Sequence, residues 1–186
     1  MRKYIILFLL CFCSILSGCS MKRLHNDKII IKHYNNLKIE ESSEQNQKEN
    51  QGEWEEPIWK ALIQNCEVKE YPKDKVQKYT KDIESQYEAY AALSGESIED
   101  VVRKDYGISI EQVVKNKICL GLAIELIAEE EELTITSQEY DEGLKEMAAE
   151  YNYDNVEDFE TIVGKEEIKN KLLKEKVYQF LTKHCK

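Results

Sequence analysis

Apolar positions recur at three- and four-residue steps almost continuously from Trp54 onward, a period that predicts a succession of helices. Trp54, Ile58, Trp59, Leu62 and Ile63 make a short apolar face. Pro72 suits a first helical turn, and Val76, Tyr79, Ile83, Tyr87, Tyr90 and Leu93 then form one stripe, closed by Gly95. Ser97 to Asp100 opens a short helix that stops at Gly107, and Ser109 caps a long one. Within the long helix, Ile118–Ala128 carries one charge, Glu125. The segment is too short to cross a bilayer as a helix, so it is expected to be the central core helix, buried nearly all round. Thr136-Ser137-Gln138-Glu139 is a capping box, followed by an inner face of Tyr140, Leu144, Met147, Ala148 and Tyr151. Asn155 caps a short segment carrying Val156, Phe159, Ile162 and Val163, and the last stripe runs through Ile168, Leu172, Leu173, Val177, Phe180 and Leu181. Six helices, short Gly- or Asn-marked loops and no alternating strands predict an all-α body over 54–186.

The stretch 19–53 has a different character and is expected to be a polar tether. Ile29-Ile30-Ile31 and Leu37–Ile39 flank Asn35-Asn36, which predicts a short hairpin at 29–39. An isolated hairpin is marginal in water, so it should be weakly ordered. Glu40–Glu53 has no apolar side chain and nothing to offset the entropy of ordering. As a random coil, Cys19 to Glu53 would span about 30–35 Å.

Charge and cysteine usage narrow the classes. The chain has 26 Lys+Arg against 36 Asp+Glu, for a formal net charge of −10, which argues against a phosphate-tracking nucleic-acid binder. Its N-terminus reads as a secretory signal over 1–18: basic Arg2 and Lys3, the uncharged run Tyr4–Leu16, then Leu16-Ser17-Gly18-Cys19. That tetrapeptide resembles the lipobox of bacterial lipoproteins at all four positions. The resemblance implies diacylglyceryl transfer to the Cys19 thiol, cleavage between Gly18 and Cys19, and a lipid anchor on the extracytoplasmic face of the cell membrane. Cys11 and Cys13 would leave with the signal. Cys66, Cys119 and Cys185 remain, an odd number that makes no disulfide framework. They read as two buried or idle thiols and one near a frayed C-terminus; spacing leaves a Cys66–Cys185 bridge open without supporting it.

No metal or cofactor is implied. His25, His33 and His184 lie apart and no Cys-x-x-Cys occurs. The four consecutive carboxylates Glu129–Glu132 point in several directions, so they suit a solvated helix end better than a Ca²⁺ site. Asp154, Glu157 and Asp158 fit a helix N-terminus. Without Gly-x-Ser-x-Gly or clustered histidines, no catalytic residue stands out.

Tyr71-Pro72, the Tyr-rich stretch after it, Tyr90-Ala91-Ala92-Leu93-Ser94-Gly95 and a short helix ending in Tyr106-Gly107 follow in a recognisable order. That order resembles the C-terminal, SurA-like peptide-binding domain of bacterial trigger factor. The likeness continues through Ile127-Ala128-Glu129-Glu130-Glu131-Glu132-Leu133-Thr134-Ile135-Thr136 and Glu139-Tyr140, and ends in the lysine-punctuated Lys165–Lys183. It covers roughly 54–183. It implies a multi-helix cradle with two arms that binds unfolded chains along its inner surface. Ile31–Ile39 also resembles the strand leading into that family's peptidyl-prolyl isomerase domain, which needs about a hundred residues. Only the polar linker stands between this strand and Trp54, so the isomerase is expected to be missing. No Gly-Phe-Arg-x-Gly-Lys motif occurs, so no ribosome contact is expected.

The resulting expectation is a non-enzymatic, membrane-anchored holdase for unfolded or newly translocated polypeptides. Aromatic and Met side chains offer adaptable apolar contact, which makes Tyr79, Tyr87, Tyr90, Met147 and Tyr151 the candidate client-binding residues. An isomerase helper or remnant, and a lipoprotein that docks one folded partner, are the alternatives.

Overall fold

The computed structural model describes residues 23–35, 37–39 and 56–184. The signal over 1–18, Cys19, the stretch Glu40–Glu53, Trp54 and Cys185 lie outside the described residues. In chain order the described residues form β1 (Leu24–His25), β2 (Ile29–Ile31), α1 (Pro57–Gln64), β3 (Cys66–Val68), α2 (Lys73–Ser94), α3 (Ile98–Tyr106), α4 (Ile110–Glu130), α5 (Ser137–Glu150), α6 (Val156–Val163) and α7 (Lys165–His184). The fold is mostly helical, with seven helices among the described residues where the pattern suggests six. The short segment after Asn155 is a helix in its own right.

Local chemistry sets the helix ends. The Ser97 and Ser109 hydroxyls accept from the backbone N–H of Asp100 and Gln112 at 3.1 and 3.2 Å. Thr136 and Glu139 form a reciprocal box, the hydroxyl accepting from Glu139 N–H at 3.2 Å and the carboxylate from Thr136 N–H at 2.8 Å. At the other ends, α2 and α3 stop at Gly95 and Gly107, whose φ of 70° and 72° places them in the left-handed region. The acidic run finishes α4 differently. Glu131 accepts a hydrogen bond from the Tyr34 hydroxyl, and Glu132, at φ 53°, makes the left-handed turn that lets Leu133 N–H reach Ala128 O at 2.8 Å.

Helix α4 is central, as its composition predicts. Ile118, Cys119, Leu120, Leu122, Ala123, Ile124, Leu126, Ile127 and Ala128 are all buried, and it packs against α1, α2, α3, α7 and the three strands. Glu125 points outward, 3.4 Å from the Lys75 ammonium. No helix among the described residues is long and apolar enough to cross a membrane.

Two clusters result. The main one gathers α1 to α4, the strands and the far end of α7 with Val177 and Leu181. The smaller one gathers Tyr140, Leu144, Ala148, Phe159 and Ile168 from α5, α6 and the start of α7. Helix α7 therefore serves both. Its approach to α5 requires Gly143, where a Cβ would stand 2.3 Å from a Leu172 methyl.

The N-terminal segment departs from expectation in two ways. The hairpin joins β1 to β2, not 29–31 to 37–39, because the Asn26 side-chain oxygen accepts from Lys28 and Ile29 N–H, both at 2.9 Å, and closes the turn there. β2 then pairs antiparallel with β3 through Ile31 and Cys66, giving a sheet ordered β1-β2-β3. The described part of the expected tether is also part of the body. Leu24, Ile29, Ile31, Tyr34 and Leu37 are all buried in the main cluster, so the core begins well before residue 54.

Candidate functional site

Five large apolar side chains are conspicuously exposed among the described residues: Tyr90 (64%), Leu93 (87%), Tyr151 (53%), Tyr153 (37%) and Ile162 (66%). They fall at two places. Tyr90 and Leu93 occupy the last turns of α2; the other three surround the turn from α5 into α6.

On α2 the inward face is carried by Ile83, Tyr87 and Ala91, each four residues from the next. Tyr90 and Leu93 fall beside that line, so the end of the stripe turns to solvent instead of inward as the spacing predicts. The Tyr87 ring meets Tyr106 edge-on at 6.0 Å and Tyr90 at 6.2 Å. Its hydroxyl donates to the Asp105 carboxylate. Burial, and then that bond, push the Tyr87 phenol well above its ordinary range, so it stays a donor. Tyr87 is thus buried and holds Tyr90 up; it does not itself present a surface.

At the second place, Asn152 adopts a left-handed φ of 58° and Tyr153 N–H reaches Ala148 O at 2.8 Å, ending α5 in a tight reversal. Asn tolerates that conformation better than most residues. The reversal lays two rings on buried Phe159, Tyr151 stacked at 5.7 Å and Tyr153 edge-on at 5.2 Å. Ile162 lies one turn beyond Phe159 on α6. It is exposed, although its stripe predicts an inward face. The Lys171 ammonium stands 5.2 Å from the Tyr151 ring centre. Nearby, Tyr140 is pushed up to about 12 by burial and by its hydroxyl bond to Glu160 at 2.6 Å.

The five predicted residues are therefore not one group. Tyr87 and Tyr90 share the α2 end. Tyr151 belongs to the α5–α6 turn, and Met147 packs half-buried in the smaller cluster behind it. Tyr79 stands apart on α2, half-buried, with the Lys78 and Lys117 ammoniums 5.9 and 5.8 Å from its ring centre. Leu93 and Ile162 were not legible as surface residues, because stripe periodicity marks a face but not where its covering partner ends. A cavity of about 360 Å³, lined by Glu56, Trp59, Lys171, Lys174, Glu175 and Tyr178, opens beside α1 and α7. Its lining holds no nucleophile and base in a catalytic arrangement.

Rings fixed on capped helices, each half wet and half packed, can hold apolar chain segments without a sequence code. The family model described as the bacterial trigger factor protein C-terminus matches residues 34–183. The match begins at Tyr34, so it includes the buried Tyr34 and Leu37 side chains as well as the helices. No curated protein and no solved structure matches the chain.

Proposed function

The chain belongs to the bacterial trigger factor C-terminal family, a chaperone-like, peptide-binding family, and from that premise we propose that it is a membrane-anchored holdase for unfolded or newly translocated polypeptides. The observation that carries this reading is the pair of exposed aromatic and aliphatic ends, Tyr90 with Leu93 and Tyr151 with Tyr153 and Ile162, on helices whose own cores are complete without them. Exposed apolar groups of this size are costly to leave uncovered and gain on the order of 1 kcal/mol or more each when a client covers them. The matched part is the chaperone-like part of trigger factor, not a catalytic one. Holding, not turnover, is its proposed work.

The anchor rests on Leu16-Ser17-Gly18-Cys19, with Cys19 as the lipidated residue and the protein on the extracytoplasmic face of the membrane. The ribosome and nucleic acid have no place in this reading. Its test is suppression of aggregation by the full chain in detergent, measured on several unrelated unfolded proteins. Suppression of all of them supports a holdase; protection of none, with tight binding to one folded protein, would establish a docking lipoprotein instead. For the anchor, Cys19→Ser should release unlipidated protein or leave an unprocessed precursor, while an intact mass showing processed but unmodified Cys19 would sink it.

A further inference from the structure

The N-terminal sheet follows almost directly on the residue expected to carry lipid. Cys19 precedes Leu24 by five residues, and Leu24 is already fixed in the main cluster and paired with Ile31. Five residues reach at most about 18 Å when fully extended. A body of this size has a radius of gyration of about 15 Å. A lipid on Cys19 therefore holds the body against the bilayer, sheet side first, and leaves no length for its far side to turn inward.

The charge of this region runs against that of the chain. Residues 19–39 hold Lys22, Arg23, Lys28, Lys32 and Lys38 against Asp27, a formal +4 in a chain of −10. The fold gathers part of this charge at the two ends of the sheet. Arg23 and Lys32 adjoin the Leu24–Ile31 pair on neighbouring strands, at the end where the chain arrives from Cys19. At the other end, Lys69 N–H donates to the Lys28 carbonyl at 2.9 Å, and its ammonium to the Asn26 carbonyl at 2.5 Å. Arg23, Lys28, Lys32 and Lys69 are all exposed, and none makes an ion pair among the described residues. By contrast, Lys75, Arg103 and Lys115 on the helices each have a carboxylate within 3.4 Å. Asp27 sits in the turn, while Glu67 and Glu70 lie on the β3 side, so the basic excess belongs to the β1–β2 edge.

We infer that the β1–β2 edge of the sheet is a membrane-docking surface, which lays Arg23, Lys28, Lys32 and Lys69 on anionic lipid headgroups. Its nearness to the bilayer rests on the anchor reading of Cys19; its charge does not. Headgroup attraction falls off within about 8 Å at physiological ionic strength, so it acts on groups held this close and not on charges beyond a long tether. The lipid supplies the holding, and the basic edge fixes which face meets the membrane. Helix α2 starts just after β3 and carries exposed Tyr90 and Leu93 about 25–30 Å along its axis. Docking through the sheet therefore covers neither residue.

The test transfers the full chain from detergent onto vesicles of phosphatidylcholine alone, or of phosphatidylcholine and phosphatidylglycerol in equal parts. An amine-reactive reagent then labels the lysines, and mass spectrometry reads each one, with exposed Lys81 and Lys145 as references. Labelling of Lys28, Lys32 and Lys69 should fall about fivefold on the anionic vesicles, the factor that one basic residue gains at such a surface, and recover in high salt. Lys28→Glu with Lys32→Glu, both exposed, should keep the urea midpoint and abolish the protection of Lys69. Equal labelling on the two vesicle types, or protection that high salt does not relieve, would overturn the inference. So would the same protection on neutral vesicles, or without vesicles at raised protein concentration, which would put a second copy's acidic surface on the sheet. Flotation reads the anchor separately. A lipidated chain floats with neutral vesicles whatever the labelling, a chain that floats only with anionic ones lacks the lipid and keeps the docking surface, and a chain that floats with neither overturns both.

Discussion

The Lys176 ammonium on α7 stands 2.5 Å from the Glu139 carboxylate at the start of α5 and 2.7 Å from the Thr134 carbonyl in the link before it. One side chain thus ties the exit of the central helix, the capping box of α5 and the helix shared by both clusters. The Lys176 bond first, and the Thr136 N–H and hydroxyl next, hold the Glu139 carboxyl down to about 2 from an ordinary 4.5. A group whose pKa is lowered by folding stabilises the fold above its unfolded value, and that contribution is lost as pH falls through its folded value. Glu139→Gln keeps an acceptor for the capping box and removes the charge. Urea midpoints of wild type and variant should therefore differ near neutral pH and converge between about 4.5 and 2. A difference that stays constant down to pH 2 would show that the ion pair is not its source. Because the carboxylate is exposed, the effect should also shrink in high salt.

The core assignment makes a larger prediction. Leu122 is buried on α4 among side chains from most of the main cluster. Leu122→Ala should cost about 2–5 kcal/mol, through lost transfer free energy and the cavity left behind. Urea unfolding of the full chain in detergent measures it. An unchanged midpoint would remove α4 from the centre of the fold.

Tyr87 changes role between pattern and structure. An exposed groove ring would lose client binding on truncation and keep its stability. The buried ring, bonded to Asp105 and packed on Tyr106, predicts the opposite order. Tyr87→Phe should destabilise by about 1–3 kcal/mol, since it leaves a carboxylate without its donor, and Tyr87→Ala by about 3–5 kcal/mol. Equal stability of Tyr87→Phe and wild type would mean that the hydroxyl does not hold α3 to α2.

Glu132 offers a gain. It is exposed at φ 53°, and the last turn of α4 has no basic residue to balance its acids. Glycine at 132 relieves the left-handed strain and removes one negative charge from a helix C-terminus. Glu132→Gly should stabilise by about 0.5–1 kcal/mol. A loss of stability would show that the Glu132 side chain makes a contact worth more than the strain.

What was legible beforehand was local. Ser97, Ser109 and Thr136 cap helices through bonds that reach only three residues along the chain, and Gly95 and Gly107 end them for reasons of φ alone. Ile118–Ala128 declared its burial through composition. The sheet did not show itself, because β3 is too short to display alternation and Leu24 and Leu37 are buried only by distant partners. Tyr34 and Glu131 illustrate the same limit, since a polar contact between distant residues has no local signature. Exposure of Leu93 and Ile162 depends on where neighbouring helices stop.

Two double variants separate holding from folding. Tyr90→Ser with Leu93→Ser clears the α2 end, and Tyr151→Ser with Ile162→Ser clears the α5–α6 end; all four side chains are exposed, so the fold should tolerate their loss. The decisive measurement is aggregation suppression of an unfolded client by the full chain in detergent, wild type beside each double variant, with the urea midpoint recorded for all three. The account predicts near-unchanged midpoints and about tenfold weaker suppression in each variant, as expected when two anchoring side chains are lost. Undiminished suppression by both variants, at unchanged stability, would contradict it.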